Sequence, residues 1–169
     1  MQIARWSAIC IAVVFAAGCA MQAGKPTNAV HSIVLAAPAA SELSALKTGG
    51  KGAPLQVGIG REIPGSQQSI RLHDLAWKKV DGVYRTTISV QSVTARSVRV
   101  GMRLNKTVTQ LECSFKGSNA VSAAALLVPG TDVYWSPVID GDIALMELNA
   151  PAIPNQDVVL EIKSVSHIG

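Results

Sequence analysis

From Leu55 onward, apolar and polar residues alternate in a succession of short runs. The clearest run is Ser97–Leu104, in which the even-numbered residues are apolar and Arg99 and Arg103 are charged. A period of two places successive side chains on opposite faces of a β-strand, so each run predicts a strand with one buried face. Comparable runs occur at 55–59, 83–90, 111–115, 143–148 and 158–162.

Turn signals separate these runs. Asp81-Gly82 lies between two apolar runs and predicts a hairpin, and Pro64-Gly65 predicts a turn. The alanine-rich stretch 120–128 fits either a strand or a short helix. No βαβ unit is apparent, so roughly seven to nine short strands predict an all-β domain over residues 55–169, a β-sandwich or a jelly roll.

The first eighteen residues have the pattern of a secretory signal peptide. Arg5 precedes ten uncharged, largely apolar residues, 8–17, a run too short to span a bilayer as a helix. The sequence Ala16-Ala17-Gly18-Cys19 then resembles the lipobox of bacterial lipoproteins. That resemblance implies cleavage before Cys19 and a lipid on its thiol. Ala20, the residue after the cysteine, resembles the residue found at this position in lipoproteins that are sent to the outer membrane.

An ordinary signal peptide, cleaved near Ala20 or Ala23, is the alternative, and it would give a periplasmic or secreted protein. Residues 19–54 are rich in Ala, Gly, Pro, Ser and Thr, as in Gly49-Gly50-Lys51-Gly52, and predict a flexible tether. Within it, 41–47 could form one or two helical turns, capped by Ser41 and ended by Gly49.

Composition excludes several classes of function. The formal net charge is +4, and the basic residues are spread along the chain without a block of five or a nucleic-acid-binding motif, so no nucleic-acid partner is expected. Of three cysteines, Cys10 and Cys19 lie in or at the end of the signal peptide. A disulfide scaffold is therefore excluded, and Cys113 is predicted to be a small buried apolar residue.

No catalytic constellation is found, so we expect no enzyme activity and no cofactor. The three histidines accompany no nucleophile turn and no metal-ligand spacing, and His73 is interpreted as an exposed loop residue. Asp140, Asp142 and Glu147 are weak candidates for a Ca²⁺ site, although Asp140-Gly141 is better explained as a tight turn. No metal is therefore expected.

Two tryptophans remain after the signal peptide. Trp77 and Trp135 are the candidate ligand-surface residues, since either indole could stack on a sugar. Both lie in apolar strand contexts, where tryptophan is more often part of the core.

The order of several short segments resembles a known family, the non-catalytic N-terminal region of secreted bacterial trypsin-like proteases of the lysyl-endopeptidase type. The resemblance implies a β-sandwich module that precedes a peptidase domain in that family. None of the catalytic residues of the family has a matching position here. The segments that carry it are 58–62, 75–77 before Asp81-Gly82, 97–102, 134–138, 141–148 and 159–167.

Three functional hypotheses follow. The first is a membrane-anchored, non-catalytic module of the bacterial envelope that binds another envelope or secreted protein, including a secreted protease whose activity it modulates. The second is a lipoprotein that binds carbohydrate or peptidoglycan. The third is the remnant of a truncated secreted serine protease.

Overall fold

The computed structural model describes residues 30–45, 58–118, 121–126 and 132–169. The signal peptide, Cys19 and most of the predicted tether lie outside these ranges. Within them, twelve strands form two sheets of six strands each, so the prediction of an all-β, sandwich-like domain is confirmed. No helix in the described ranges has the length and apolar character needed to cross a membrane.

The first sheet has the order β1-β5-β11-β7-β8, and β4 also pairs with β5. Its neighbouring strands are antiparallel except for β1, which runs parallel to β5. The strands are β1 (His31–Leu35), β4 (Lys78–Val80), β5 (Val83–Ser92), β7 (Glu112–Lys116), β8 (Val121–Leu126) and β11 (Ile143–Ala150).

The second sheet is antiparallel throughout its described pairs and has the order β10-β6-β12-β2. β3 extends the β2 side along β12, and β9 extends the β10 side along β6. The strands are β2 (Gly58–Glu62), β3 (Ser69–Arg71), β6 (Ser97–Leu104), β9 (Tyr134–Trp135), β10 (Ile139–Asp140) and β12 (Val159–Ile168).

One apolar core lies between the sheets, because a single cluster of buried side chains draws on both. The alternation predicted for β6 is confirmed, with the four even-numbered residues buried. Phe115 is among the largest side chains that are fully buried. In β12 the alternation changes phase at a bulge between Ile162 and Ser164, which turns Val165 and His167 into the core.

The hairpin predicted at Asp81-Gly82 joins β4 to β5. Both turn residues have positive φ, 51° for Asp81 and 84° for Gly82. Two consecutive residues of positive φ are the requirement of a type I′ turn, whose twist matches that of the flanking strands. The hairpin prediction is therefore confirmed.

The predicted tether is wrong over residues 31–35. These residues form β1, whose Ile33 and Leu35 are buried in the core while Val34 remains exposed. The Ala-rich surroundings of β1 resemble a linker, but two large aliphatic residues two positions apart suffice to fix a short strand on an open sheet edge.

The helices are short. They are α1 (Ala40–Ala45), α2 (Gly65–Gln68) and a single 3₁₀ turn at Leu72–Asp74. The predicted helix at 41–47 begins one residue earlier, so Ser41 lies inside α1. The Glu42 carboxylate instead accepts a hydrogen bond of 2.7 Å from the Ala39 N–H. The ambiguous 120–128 stretch contains the strand β8.

Candidate binding surface

β9 lies on the outer edge of the second sheet and carries exposed aromatic residues. Trp135 pairs with Gly101 of β6, and Tyr134 pairs with Met102. Gly101 has no side chain, and the Trp135 and Val133 side chains occupy the space where one would lie. A Cβ built on Gly101 would lie 3.1 Å from Cη2 of Trp135 and 3.0 Å from Cγ1 of Val133. The glycine thus allows both side chains to lie flat against the sheet.

Four apolar side chains within six residues remain accessible here. Val133, Tyr134, Trp135 and Val138 are each between 37% and 55% exposed, and we call these four residues the aromatic edge. Val133 and Trp135 both lie against Gly101 on the outer face of the sheet, whereas Tyr134, which pairs with the buried Met102, faces the Phe115 ring on the inner side.

The aromatic edge is held firmly by the fully buried Ser136. The Ser136 N–H donates to the Val100 carbonyl, and the Val100 N–H donates to Oγ of Ser136, each over 2.9 Å. The Tyr134 ring also stacks on the buried Phe115 ring, with centroids 6.5 Å apart. These contacts fix the backbone of the segment, so its exposed side chains are preorganised for contact with a partner.

Arg99 adds a positive charge to the surface. Its guanidinium lies over the Trp135 ring, 5.7 Å from the ring centroid, and its Nε–H donates to the Ser136 carbonyl over 3.0 Å. No carboxylate in the described part of the chain pairs with it. The outer donors of the guanidinium therefore stand beside an exposed indole, available to an acceptor on a partner.

Three clefts open elsewhere on the domain, and none of the three is lined by a residue of the aromatic edge. Small molecules bind in concave pockets that cover most of their surface, whereas exposed aromatic patches suit larger partners. The exposed side chains of the aromatic edge lie outside these three clefts, a position that suits a larger partner better than a small molecule.

Trp77, the other candidate, lies elsewhere. It is half-buried, packs against the core, and donates from its indole nitrogen to the Leu72 carbonyl over 2.7 Å. An indole whose one polar group is used internally is a structural residue. The structure thus separates the two tryptophans, leaving Trp135 as the one of the pair that belongs to a candidate surface.

The three calcium candidates are not brought together. Asp140 is exposed at the turn between β10 and β11, where Gly141 has φ 93°. Asp142 accepts from the Gln91 amide over 2.8 Å, and Glu147 pairs with Lys116 over 2.9 Å. In the described ranges, no group of three acidic, histidine or cysteine side chains could hold a metal ion.

Ion pairs on the sheets explain why two carboxyl groups have lowered pKa values. The hydrogen bond from Lys116 lowers the pKa of Glu147. Hydrogen bonds from Lys163 and Arg103 lower the pKa of Glu161, whose Oε2 lies 2.9 Å from Nζ of Lys163 and 2.6 Å from Nη2 of Arg103. These carboxylates are engaged within the domain rather than directed at a ligand.

Cys113 and His73 are where the sequence predicts them to be. Cys113 is fully buried in β7, and burial raises the pKa of its thiol to about 12, so it stays protonated. His73 is exposed in the 3₁₀ turn, where its Nδ1 lies 3.2 Å from the Pro154 carbonyl. Cys19, the predicted lipidation site, lies outside the described residues.

Sequence reasoning missed a buried polar cluster formed by Arg61, Ser92 and His167. Ser92 and His167 are both buried, with Oγ of Ser92 3.0 Å from Nδ1 of His167 and 3.3 Å from Nη1 of Arg61. A serine beside a histidine resembles a nucleophile with its base, but neither side chain is accessible to a substrate. The residues are distant in sequence, so no local motif could reveal them.

The Arg99–Trp135 pair was also missed, because the two residues are 36 positions apart. The signal that could have indicated it is the apolar stretch 133–138, in which valines, a tyrosine and a tryptophan crowd around a single serine and proline. Such a stretch on a two-residue edge strand cannot bury all of its side chains.

The family model of the lysyl endopeptidase N-terminal domain matches residues 34–169, well over half of the 169 residues. The matched region begins within β1 and includes every later strand described above. No curated protein and no solved structure matches the chain.

Proposed function

Because the chain belongs to the lysyl endopeptidase N-terminal domain family, we propose that it is a non-catalytic binding module of the bacterial envelope whose partner is a secreted serine protease. The aromatic edge, with Arg99 beside it, is the binding surface. Cys19 carries the lipid that anchors the module to the outer membrane.

The observation that carries this proposal is the exposed indole of Trp135 beside Val133 on the outer face of the sheet, with Arg99 over its ring and no carboxylate on that guanidinium in the described ranges. Tryptophan, tyrosine and arginine are the residues that contribute most to protein–protein binding when a partner removes them from water. The free donors of Arg99 call for a carboxylate or a backbone carbonyl on the partner. A lysyl-endopeptidase-type protease is the first partner to test, because the family is described as the N-terminal domain of lysyl endopeptidase.

Titration of a purified mature lysyl-endopeptidase-type protease into the chain tests the proposal by calorimetry. We expect Trp135→Ala to weaken binding by roughly tenfold or more, the effect of losing a central aromatic residue. Val138→Ser and Val34→Ser form a matched pair, since these valines are 55% and 53% exposed and only Val138 belongs to the aromatic edge, whereas Val34 lies on β1 of the first sheet. Only Val138→Ser should weaken binding. No binding by the wild type, or equal losses from both valine variants, would refute the proposal.

A glycan is the second candidate ligand, because the exposed indole of Trp135 has a face that a sugar ring could cover. Soluble peptidoglycan fragments would then quench Trp135 fluorescence, and Trp135→Phe would abolish the change while Trp77→Phe would keep it. Quenching of this kind without any binding of the protease would replace the protein partner with a sugar.

The anchor is tested separately by fractionating cells that express the full chain. We expect the wild type in the membrane fraction and Cys19→Ser in the soluble fraction, since two or three acyl chains are needed for durable attachment. Cys10→Ser is the matched control, because Cys10 lies within the apolar run of the signal peptide. Retention of Cys19→Ser in the membrane would rule out lipidation at this residue.

A further inference from the structure

The cluster of Arg61, Ser92 and His167 joins three parts of the fold. Ser92 ends β5 of the first sheet, while Arg61 on β2 and His167 on β12 belong to the second. Arg61 also donates from Nη1 to the carbonyl of Ala36, the residue that follows β1. The cluster therefore connects the two sheets at the point where β1 ends.

We propose that Arg61, Ser92 and His167 form an acid-sensitive latch that holds β1 on the domain. The proposal stands apart from the binding function, because it concerns β1 and the edge of β5 beneath it rather than the aromatic edge.

β1 depends on few contacts. It has five residues, pairs within the described ranges on one side only, with β5, and contributes Ile33 and Leu35 to the core. At its C-terminal end, the Val93 N–H donates to the Leu35 carbonyl over 3.1 Å, and Arg61 holds the next carbonyl. A short edge strand of this kind opens at a lower free energy than the central strands, so the contacts at its end matter.

The latch contains a neutral histidine. Arg61 can only donate, so its N–H points to Oγ of Ser92, and in the latch the serine hydroxyl donates in turn to Nδ1 of His167, 3.0 Å away. Nδ1 accepts that proton only when it carries none itself, which places the proton of the neutral ring on Nε2. A proton added to Nδ1 would leave the serine hydroxyl with no acceptor in the cluster.

The surroundings of His167 oppose a second positive charge. Facing it are Ser92 from β5, Arg61 and its strand neighbour Ile59 from β2, and Val98 from β6. Arg61 is the charged group among these, and no carboxylate in the described ranges pairs with either residue. Burial and the charge of Arg61 together lower the pKa of His167 below its ordinary value of 6.5.

The sign of the pH effect follows from that direction. His167 binds a proton less readily in the closed latch than in the opened state. The free energy that favours the closed latch is therefore fully present above pH 6.5 and decreases as the pH falls below that value. Protonated His167 loses the serine donor and repels Arg61 from the carbonyl of Ala36. β1 then separates, and the backbone groups of Ile88–Ser92 on β5 become available to another strand.

Hydrogen exchange of the β1 amides between about pH 8 and about pH 5, corrected for intrinsic rates, tests the latch in the full chain. Because one proton is taken up, the opening constant of β1 should rise by up to about tenfold per pH unit below 6.5, while the amides of β11 keep their protection. His167→Asn keeps an acceptor for Ser92 and cannot be protonated, so its β1 opening should not depend on pH.

His31→Asn is the matched control, since His31 is the other histidine close to β1 and lies on that strand itself. This variant should retain the wild-type pH dependence. A wild type with no pH dependence, persistence of the dependence in His167→Asn, or its loss in His31→Asn would each overturn the proposal.

A second measurement needs no variant. Nuclear magnetic resonance of the wild type should show neutral His167 as the Nε2–H tautomer, and the amide shifts of Ile33–Leu35 should change with the midpoint of His167. Amide shifts that do not follow the midpoint of His167 would contradict the latch, even if His167→Asn failed to fold.

Discussion

The indole nitrogen of Trp77 donates a hydrogen bond of 2.7 Å to the carbonyl oxygen of Leu72, five residues earlier in the chain. This contact encloses the 3₁₀ turn at Leu72–Asp74 and leads the chain into β4. Trp135, in contrast, lies on β9 and extends its ring over Gly101 of β6 on the outer face of the second sheet. The two indoles therefore have separable effects on stability and on binding.

Trp77→Phe should lower the free energy of unfolding by about 1 kcal/mol, because it removes the hydrogen bond to Leu72 while keeping an aromatic ring. Trp135→Phe should change it by no more than about 0.5 kcal/mol, since that side chain is 38% exposed and lies outside the core cluster. Urea unfolding followed by circular dichroism measures both. Equal losses from the two variants would show that Trp135 is also structural.

Cys113 should be inert in the native domain. In a chain with Cys10 and Cys19 replaced by serine, an aromatic disulfide reagent should react with Cys113 only after unfolding, because burial raises its pKa to about 12. Cys113→Ser should lower the free energy of unfolding by about 1–3 kcal/mol, because it buries a hydroxyl group in an apolar core. Rapid labelling of the folded protein would contradict the buried position.

Glu161 should make the domain less stable in acid. The pKa of this carboxyl group is lowered by Lys163 and Arg103, so its contribution is present above the ordinary value of 4.5 and is lost as the pH falls below it. Between about pH 5 and about pH 3, the wild type should lose about 0.5–1 kcal/mol more than Glu161→Gln, a modest amount because the pair is near the surface. Parallel losses in both proteins would exclude this role.

Gly101→Ala should disturb the aromatic edge. The new methyl group would lie 3.0 Å from Val133 and 3.1 Å from Trp135, closer than ordinary contact, so both side chains must move. We expect the free energy of unfolding to fall by about 1 kcal/mol and the tryptophan emission maximum to shift. Gly60→Ala is the control, because its methyl group would meet no atom within 4 Å. Identical behaviour of the two variants would argue against the packing of Trp135 on Gly101.

The features that could be predicted from the sequence are local ones. The alternation in β6 and the Asp81-Gly82 hairpin depend on residues within a few positions of one another, and both are found in the structure. β1 could not be predicted in the same way. Its pairing with β5 begins at Ile88, more than fifty positions after His31, and the two strands are parallel, so no turn marks the pair.

The orientation of His167 illustrates a second limit. Alternation from Leu160 and Ile162 would place even-numbered residues inside and His167 on the outer face. The bulge between Ile162 and Ser164 shifts this register by one residue and turns His167 towards Ser92 instead. A change of phase within a strand leaves no clear mark in the sequence, so the buried cluster was not predictable from the periodicity.

The candidate surface was predictable only in part. Trp135 could be selected from the sequence as one of two tryptophans, but its exposure depends on Gly101 and on the short length of β9. Arg99 is brought to it by the pairing of β6 with β9. These are consequences of topology, and the sequence pattern could not distinguish Trp135 from Trp77.

The parallel pairing of β1 with β5 has a mechanical consequence. Eleven residues separate Cys19 from β1, and fully extended they reach about 40 Å. Tension applied to this segment along the axis of β1 would pull the strand lengthwise against β5, so the hydrogen bonds of the ladder would resist shear together rather than open one after another. The domain would then be held by the side of a sheet, and protonation of a single histidine would lower the force at which it yields.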